Sequence, residues 1–253
     1  MAISIPAVKS ELPRARPSAA LGRLDLYAGI QGILHSWSGF PALSELMRVL
    51  PTLDVYVAGG VLRDTLSQTG RAPKDFDFFV DGPSLDSILG PLRSHGTITF
   101  GPFGSPRWFP FASKDTYADI IHVRNFYNGL TRCDNMTDVL RQFDFTANAI
   151  AVNLRTGQTM DPLNGIEDIT RRIMRGVRFD YPDEPISSGH PISRPSVLWF
   201  RLLHYAALGE MNIEPVTLSW LYRNRIFKRD LGYFSKIFFP PDPRSMFVYS
   251  NDQ

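Results

Sequence analysis

The chain has 253 residues, with 27 Lys and Arg against 25 Asp and Glu, which gives a formal net charge of +2. That balance by itself does not predict a polyanionic partner. Its single cysteine, Cys133, excludes an internal disulfide, and the five histidines lack metal-ligand spacing, which argues against a structural zinc. No apolar run reaches membrane-spanning length and the first residues lack a signal-peptide core, so we expect a cytoplasmic protein without a membrane contact.

The first part of the chain predicts an arm followed by two helices. Residues 1–20 mix prolines, arginines and small residues, a composition that buries little apolar surface and predicts a mobile arm. Apolar residues at helical spacing predict helices over residues 21–37 and 42–50. The second of these lies between Pro41 and Pro51, which are typical of a helix start and a helix end.

The stretch LDVYVAGGVLRDTLSQTGRAPKDFDFFVD, residues 53–81, predicts a strand, a glycine turn, a short helix and a second strand. The second strand, residues 74–80, carries Asp75 and Asp77, and residues i and i+2 of a strand project from the same face. Two carboxylates this close repel each other unless a cation lies between them. For phosphate chemistry the expected cation is Mg²⁺, which prefers oxygen ligands.

The glycine pair Gly59-Gly60 supplies a second feature of this stretch. Without side chains, the turn lets backbone N–H groups approach an anion closely, and the following helix adds partial positive charge. A Gly-Gly turn alone is typical of many turns, and an Asp-x-Asp alone is typical of many solvated strand ends. Their order and spacing indicate a phosphate cradle beside a metal-binding acid pair.

GGVLRD followed by KDFDFFV resembles the signature of the class II nucleotidyltransferases, the family of CCA-adding enzymes and bacterial poly(A) polymerases. The resemblance implies that the Gly-Gly turn helps to hold a nucleoside triphosphate and that the following Arg-Asp steadies the turn and the phosphates. It also implies that the Asp-x-Asp carboxylates hold two metal ions. The residues that would take these roles are Gly59, Gly60, Arg63, Asp64, Asp75 and Asp77.

Further along, residues 84–94 predict a helix, TITF a strand and GPFGSPRWFPFA a hairpin. The apolar segment 118–126 predicts an interior strand. Asp119 in this strand, with Arg124 five residues later, resembles the family's third carboxylate, although the family position is often Glu. A third acid would complete the coordination of the metal that activates the attacking hydroxyl. The alternative is that Asp119 is a strand-edge residue paired with an arginine.

Residues 141–177 resemble a second family block, in which a paired-arginine-Asp-Phe-Thr-x-Asn-Ala run precedes a strand, a turn and an Asp-Pro-x-x-Gly-x-x-Asp helix. Asp144 and Asn148 are one helical turn apart, so we expect them to share a face and to contact the ribose or triphosphate. The alternative is a helix cap with a structural asparagine. The other matching residues are Phe145, Thr146, Ala149, Asp161, Pro162, Gly165 and Asp168.

The same block departs from the family at the two positions before Asp144. Gln142 and Phe143 stand where the family has two arginines, so a charge-assisted contact to phosphate or base is lost. Arg141, three residues before Asp144, is a candidate replacement. This departure bears on nucleotide affinity and base choice more than on chemistry.

The resemblance decays after residue 177. Three prolines in residues 181–194, followed by Pro195, predict a loop, and residues 196–208 resemble a family helix without convincingly filling its base-selecting Asp and Arg positions. Arg201 is the candidate for a base contact, against the alternative of a solvated arginine on an amphipathic helix. Basic and aromatic residues interleave over 218–236, a pattern typical either of RNA contact or of a helix with a buried aromatic face.

These observations predict an α/β head over residues 21–177, a palm-like mixed sheet flanked by helices, and a truncated helical neck over 178–253. By resemblance, the head adds nucleoside monophosphates from ATP and/or CTP to an RNA 3′ end with two Mg²⁺ ions, and a protein partner supplies further RNA-binding surface. Two alternatives stay open. One is a nucleotidyltransferase that modifies a protein, a small molecule or tRNA in a toxin-like role, and the other is a catalytically silent RNA-binding head.

Overall fold

The fold is organised around a mixed seven-stranded sheet. The computed structural model describes residues 23–111, 113, 116–126, 131–187 and 189–247, so the predicted arm, residues 1–20, lies outside the described residues. The sheet has the spatial order β3-β4-β5-β2-β1-β6-β7, in which β2 and β5 run parallel. The strands are β1 (Asp54–Ala58), β2 (Asp75–Asp81), β3 (Gly96–Phe100), β4 (Pro106–Pro110), β5 (Tyr117–His122), β6 (Ala151–Asn153) and β7 (Thr159–Met160).

Helices flank this sheet and follow it, which confirms the predicted α/β class with a helical C-terminal part. They are α1 (Arg23–Ser36), α2 (Phe40–Val49), α3 (Gly60–Leu66), α4 (Leu85–Arg93), α5 (Met136–Leu140), α6 (Gly165–Arg171), α7 (Arg194–Leu208), α8 (Pro215–Arg223), α9 (Leu231–Ile237) and α10 (Pro243–Phe247). The helices predicted over 21–37, 42–50 and 84–94 all form, as α1, α2 and α4. No helix in the described part of the chain is both long and apolar enough to cross a membrane.

The two faces of the sheet have different surroundings. On one face, Phe76 and Phe78 of β2 are fully buried, as predicted, and their rings contact Trp37, which follows α1. Trp108 of β4 is on the same face and is also fully buried. Because the side chains of a strand alternate, the intervening residues of β2, Asp75 and Asp77, project from the opposite face.

Three local predictions need correction. The strand predicted over residues 118–126 ends earlier, because β5 stops at His122 and a 3-10 turn, Val123–Asn125, follows it. The predicted hairpin within residues 101–112 is instead made by β3 with β4, and residues 101–105 form its turn. The loop predicted over residues 181–194 contains a two-stranded hairpin. Its strands include Pro185 and Pro191, and a two-stranded sheet tolerates proline because each strand has one unpaired edge. These strands are β9 (Pro185–Ser187) and β10 (His190–Ser193).

The core is continuous across the predicted head–neck boundary at residue 177. Buried side chains from α1, the sheet and α7 belong to one apolar cluster that also includes Trp220 and Phe234. In addition, β8 (Ile173–Met174), before the boundary, pairs in parallel with β11 (Asn212–Ile213), after it. The division into head and neck therefore stays a prediction, and α7 is packed so that its residues can reach the carboxylate face of the sheet.

Candidate active site

The structure brings the three predicted carboxylates together on one face of the sheet. Asp77 on β2 is the register partner of Asp119 on β5, and Asp75 is the register partner of Tyr117. Across the next strand, Asp119 is the partner of Arg107 on β4. Register partners in a sheet project from the same face, so these side chains form the floor of an open cleft.

The floor is strongly electronegative around Asp77. Burial raises the pKa of Asp77 to about 8, and the charges of Asp75, Asp119 and Asp144 add to that rise, while Arg201 opposes it. In the described residues no cationic side chain forms an ion pair with Asp75 or Asp77. The site therefore favours a proton or a metal cation beside Asp77.

Asp119 differs from the other two acids because it is held by an arginine. Arg107 donates from Nε to Oδ1 at 2.9 Å and from Nη2 to Oδ2 at 3.0 Å, so both carboxylate oxygens are engaged. Burial raises the pKa of Asp119, although the hydrogen bonds and the charge of Arg107 lower it. Asp119 is therefore paired with an arginine, as the alternative interpretation from the sequence expected, but it lies on an interior strand and not at a sheet edge. Its partner is Arg107 and not Arg124, because Arg124 Nε lies 3.6 Å from Asp81.

Tyr117 connects Arg107 to Asp75. The Arg107 guanidinium lies 4.1 Å from the centroid of the Tyr117 ring, and the Tyr117 hydroxyl donates to Asp75 Oδ2 at 3.1 Å. Burial raises the pKa of Tyr117, so its hydroxyl remains a donor at neutral pH. The sequence analysis did not identify Arg107 or Tyr117. The signal for both is the register of β4, β5 and β2, which residue spacing along the chain does not contain.

The carboxylates fit a magnesium site in part. No group of three or more His, Cys, Asp or Glu side chains within the described residues is arranged to hold a metal ion. Proteins commonly hold Mg²⁺ through one or two carboxylates, with water and substrate phosphates completing the octahedron. Asp75 and Asp77 meet that requirement, whereas Asp119 would become a ligand only after Arg107 released it.

Gly59 and Gly60 have different roles at the end of β1. Gly59 has φ 76° and ψ −136°, and a Cβ built on it would lie 2.9 Å from Asp77 Oδ2. Gly60 is the first residue of α3, and a Cβ there would be 3.5 Å from the flexible end of Arg63. Only Gly59 therefore requires glycine, because both its backbone conformation and the carboxylate beside it exclude a side chain.

A network of charged and polar groups forms the wall opposite the floor. Asp144 accepts from Arg201 Nε at 2.6 Å and from Asn148 Nδ2 at 3.1 Å. Asn148 Oδ1 in turn accepts from Arg63 Nη1 at 2.7 Å, and Arg63 Nε donates to Asp64 Oδ1 at 2.9 Å. The predicted site residues Arg63, Asp64, Asp144, Asn148 and Arg201 thus belong to one hydrogen-bonded system.

Asp144 and Asn148 meet by a different backbone route from the predicted one. Phe145 is extended and Thr146–Asn148 is a 3-10 turn, so the two residues do not share a face of an α-helix. The turn is held by Asp168, a buried residue that accepts from Thr146 Oγ1 at 2.7 Å and from Arg175 Nε at 2.9 Å. Thr146 and Asp168, two of the residues that match the family block, therefore stabilise the turn that places Asn148 in the wall.

Tyr205 stacks beneath both arginines of the wall. The Arg63 guanidinium lies 4.2 Å and that of Arg201 5.3 Å from its ring centroid. Burial lowers the pKa of Arg201, but the charges of Asp144, Tyr205 and Asp77 and the hydrogen bond to Asp144 together outweigh burial and raise that pKa above its ordinary value. The sequence analysis missed Tyr205, although it lies one helical turn after Arg201 on α7.

The two positions that depart from the family are filled by structural residues. Gln142 is buried, and its Nε2 donates to the carbonyl oxygen of Thr131 at 2.8 Å and to Cys133 Sγ at 2.9 Å. Phe143 packs with its ring centroid 5.7 Å from that of Phe79. Arg141, the predicted replacement, is exposed at the end of α5 and is not among the described residues that line the cleft.

The basic and aromatic stretch predicted over residues 218–236 divides between the two interpretations. Trp220, Phe227 and Phe234 are buried in the core, as expected for a helix with an apolar face. Tyr222 and Tyr233 are about half exposed, at 49% and 52%. The stretch is thus mainly structural, with two aromatic rings on its surface.

Part of this chain is similar in sequence to known proteins. Residues 110–175 match the family described as the Poly A polymerase head domain. The chain is 28% identical over 138 residues to a CCA-adding enzyme of Francisella tularensis subsp. novicida, a match that covers 52% of this chain and 35% of the relative. It is 30% identical over 141 residues to a multifunctional CCA protein of Pseudoalteromonas atlantica, covering 53% and 33% of the two chains.

Solved structures share the fold over a longer part of the chain. The Thermotoga maritima CCA-adding enzyme complexed with tRNA superposes with a TM-score of 0.59 at 21% identity, covering 87% of this chain and 52% of that one. A CCA-adding enzyme in complex with ATP gives a TM-score of 0.58 at 21% identity, covering 81% and 47%. The chain spans about a third of the length of the curated relatives. About half of this chain is thus similar in sequence to CCA-adding enzymes, and the solved structures share its fold.

Proposed function

We propose that this protein transfers a nucleoside monophosphate from a nucleoside triphosphate to the 3′ end of an RNA without a template. The observation that carries this proposal is the position of Asp75 and Asp77, side by side on the cleft floor next to Gly59 and opposite Arg63 and Arg201. An acid pair that favours a cation therefore faces two arginines, which is the charge arrangement that a triphosphate with its metal requires.

In the proposed reaction the RNA 3′-hydroxyl oxygen attacks the α-phosphorus. The bond from that phosphorus to the α,β-bridging oxygen breaks, pyrophosphate leaves, and the proton of the hydroxyl is released. Asp75 and Asp77 would hold Mg²⁺, which lowers the pKa of the attacking hydroxyl and stabilises the leaving phosphates. Asp119 would become a further ligand when Arg107 releases its carboxylate. We propose that the site holds two Mg²⁺ ions.

The chain's own residues would bind and orient the substrates. Gly59 and Gly60 leave the end of β1 open to phosphate, and Arg63 lies next to this turn. Arg63 and Arg201 are held in place by Asn148, Asp144 and the Tyr205 ring, so their donors are fixed before the triphosphate arrives. Fixed donors stabilise developing charge without further reorganisation.

The names of the relatives support the choice of substrates. CCA-adding enzymes have been solved with ATP, with CTP and with tRNA. We therefore propose ATP and/or CTP as donors and a tRNA 3′ end as the first acceptor to test. A cytoplasmic location and a protein partner that adds RNA-binding surface belong to the same proposal.

The test is transfer of label from each α-labelled nucleoside triphosphate to RNA. Purified protein is incubated with Mg²⁺, total RNA or tRNA lacking its 3′ CCA, and one triphosphate at a time, beside the Asp75→Asn/Asp77→Asn variant. We expect label in RNA with the wild type and none with the variant. The change keeps side-chain volume while removing both charges, and both positions lie at the surface of the cleft, so the variant should still fold.

The other results separate the alternatives. Label on protein or on a small molecule, dependent on the two acids, would replace the RNA acceptor while keeping the chemistry. Equal transfer by the wild type and the variant would reject the acid pair as the catalytic centre. Absence of transfer together with tight RNA binding would favour a catalytically silent RNA-binding head.

A further inference from the structure

The carboxylate face of the sheet continues beyond the acids as a row of aromatic side chains. Thr97 on β3 is the register partner of Phe109 on β4, and Tyr117 on β5 is the register partner of Asp75 on β2. The rings of Phe109 and Tyr117 join the two halves of this row, with centroids 5.1 Å apart and planes inclined at 40°. We call the surface formed by Phe109 and Tyr117 the aromatic ledge.

The core does not account for Phe109. The opposite face of β4 already contributes Trp108 and Pro110 to the interior, and both are buried. Phe109 projects from the carboxylate face and is 36% exposed. An aromatic ring that remains partly in water next to a set of polar side chains marks a surface suited to a ligand with flat apolar faces.

The ledge begins at the acids themselves. The Tyr117 hydroxyl donates to Asp75, and β4 is separated from β2 by one strand. With neighbouring strands about 4.8 Å apart, Phe109 lies roughly 10 Å from the acid strand, which is about three stacked nucleotides at about 3.4 Å each. A chain whose 3′ end is at the acids would therefore place its preceding bases over the ledge.

Cationic groups accompany the rings. Arg107 stacks on Tyr117, and Arg71 and Lys74 are exposed in the cleft next to Asp75. Neighbouring aromatic and cationic side chains suit a single-stranded nucleic acid, because bases stack on the rings and the cations pair with the phosphates between the bases. An apolar peptide would leave the exposed Arg71 and Lys74 without counter-charges from the ligand.

We propose that the aromatic ledge stacks the unpaired bases next to the 3′ end of the RNA acceptor. This inference rests on the proposed function, since it uses the acids to fix where the 3′ end lies. Phe109 would be a binding residue for the acceptor, and it would act on any base because every base presents a π face.

The experiment measures binding of a fluorescein-labelled single-stranded RNA by anisotropy, without Mg²⁺ or nucleoside triphosphate. The variants are Phe109→Ala, which removes the ring, and Phe109→Leu, which keeps an apolar side chain without a π face. Phe100→Ala is the matched control. Phe100 is 73% exposed on the same hairpin, but it lies on the same face of the sheet as Ile98, opposite the face that carries Phe109. A second RNA carries abasic sugars at its 3′ end.

We expect Phe109→Ala to weaken binding of the intact RNA by about 5- to 150-fold, the equivalent of about 1–3 kcal/mol for base stacking on an aromatic ring. Phe109→Leu should lose most of the same affinity, and Phe100→Ala should bind like the wild type. The abasic RNA should bind all four proteins equally weakly. Because stacking carries no charge, the ratio between wild type and Phe109→Ala should not change with salt.

Several results would overturn the ledge. They are equal RNA affinities of wild type and Phe109→Ala, an equal loss with Phe100→Ala, no measurable RNA binding by the wild type, and a change of oligomeric state when Phe109 is replaced. The failure of the proposed function looks different. If the ledge is correct but the chain transfers no nucleotide, RNA binding will depend on Phe109 and no labelled product will form. If labelled product forms and Phe109→Ala leaves the KM for the RNA acceptor unchanged, only the ledge is rejected.

Discussion

The two sides of the cleft surround their acids differently. On the floor, Asp75 and Asp77 lie side by side without an ion pair in the described residues, and burial raises the pKa of Asp77 to about 8. On the wall, Asp144 lies 2.6 Å from Arg201 Nε and is also bonded by Asn148. Each carboxylate of the wall has an arginine partner, whereas the acid pair of the floor has none in the described residues and favours a cation.

This difference separates positioning from chemistry. Residues with their charges already matched hold their geometry and change little when substrate binds. Residues with unmatched charges bind whatever neutralises them, here a proton or Mg²⁺. Asp119 is intermediate, because Arg107 engages both of its oxygens on the floor side. The following predictions alter one side at a time.

The largest effect is expected at Gly59, where floor and backbone meet. Gly59→Ala would place a methyl group 2.9 Å from Asp77 Oδ2 at a φ of 76°, so it should destabilise the fold by about 1–3 kcal/mol and displace the carboxylate. Because small displacements at reacting groups cost up to about 100-fold in rate, transfer should fall by about that factor. Gly90→Ala in α4 is the control, because its φ is ordinary and nothing lies within 4 Å of the added Cβ, so it should retain activity and stability. Equal effects at both glycines would contradict this account.

The wall is broken by Arg201→Ala. Removing the guanidinium leaves the partly buried Asp144 without its charged donor, so the free energy of unfolding should fall by about 1.5–3 kcal/mol in urea titrations. Arg201→Lys keeps the charge but loses the planar Nε donor, so it should recover only part of the loss. Equal stability of the wild type and Arg201→Ala would mean that the wall is not held by this pair.

Arg107→Gln should make the floor bind its cation more tightly. The change frees both oxygens of Asp119 and removes a positive charge, which opposes a nearby divalent ion by about 1–2 kcal/mol. The half-saturating Mg²⁺ concentration, read from the rise in Tm, should fall by about tenfold. Arg124→Gln is the control, because it breaks another arginine–aspartate pair at the far end of β2. Weaker Mg²⁺ binding in Arg107→Gln would show that the arginine supports the metal site.

The metal-free protein should also have a pH-dependent stability. The pKa of Asp77 is raised from 3.8 to about 8, so the folded state binds more protons than the unfolded state between these values. Stability should therefore fall as pH rises through that window. Groups facing Asp77 are Asp75, Asp119, Asp144 and Arg201. In urea titrations at about pH 5 and about pH 8, Asp77→Asn should lose less stability than the wild type. Identical pH slopes would reject the raised pKa.

Local patterns predicted the head well. The alternation of Asp and Phe in β2 located both the acids and the buried aromatic face, since strand periodicity acts between neighbouring residues. Proline and glycine punctuation located α2 and the turn at Gly59 for the same reason. The order of glycine turn and acid pair also carries the resemblance to the class II nucleotidyltransferases, because both are contiguous in the chain.

The errors have one physical origin. Asp144 and Asn148 met through a 3-10 turn that Asp168, twenty residues later, stabilises, and residues 185–193 formed a hairpin where prolines suggested a loop. Arg141 was chosen by proximity in sequence, but its side chain is exposed outside the cleft. Long-range packing decided each case, and spacing along the chain does not report it.

The sequence by itself determined the α/β class, the acid pair and the glycine turn, and it carries the family resemblance, because these depend on strand alternation and contiguous residues. Only the tertiary structure decided that Arg107 holds Asp119, that Arg201 and Tyr205 complete the wall, and that Phe109 lies beside Tyr117 on the carboxylate face. Strand register and the packing of the helices bring together residues that are 57 positions apart in the pair Arg201–Asp144 and 85 apart in the pair Arg63–Asn148. These contacts form only when the whole core closes, so no local pattern encodes them.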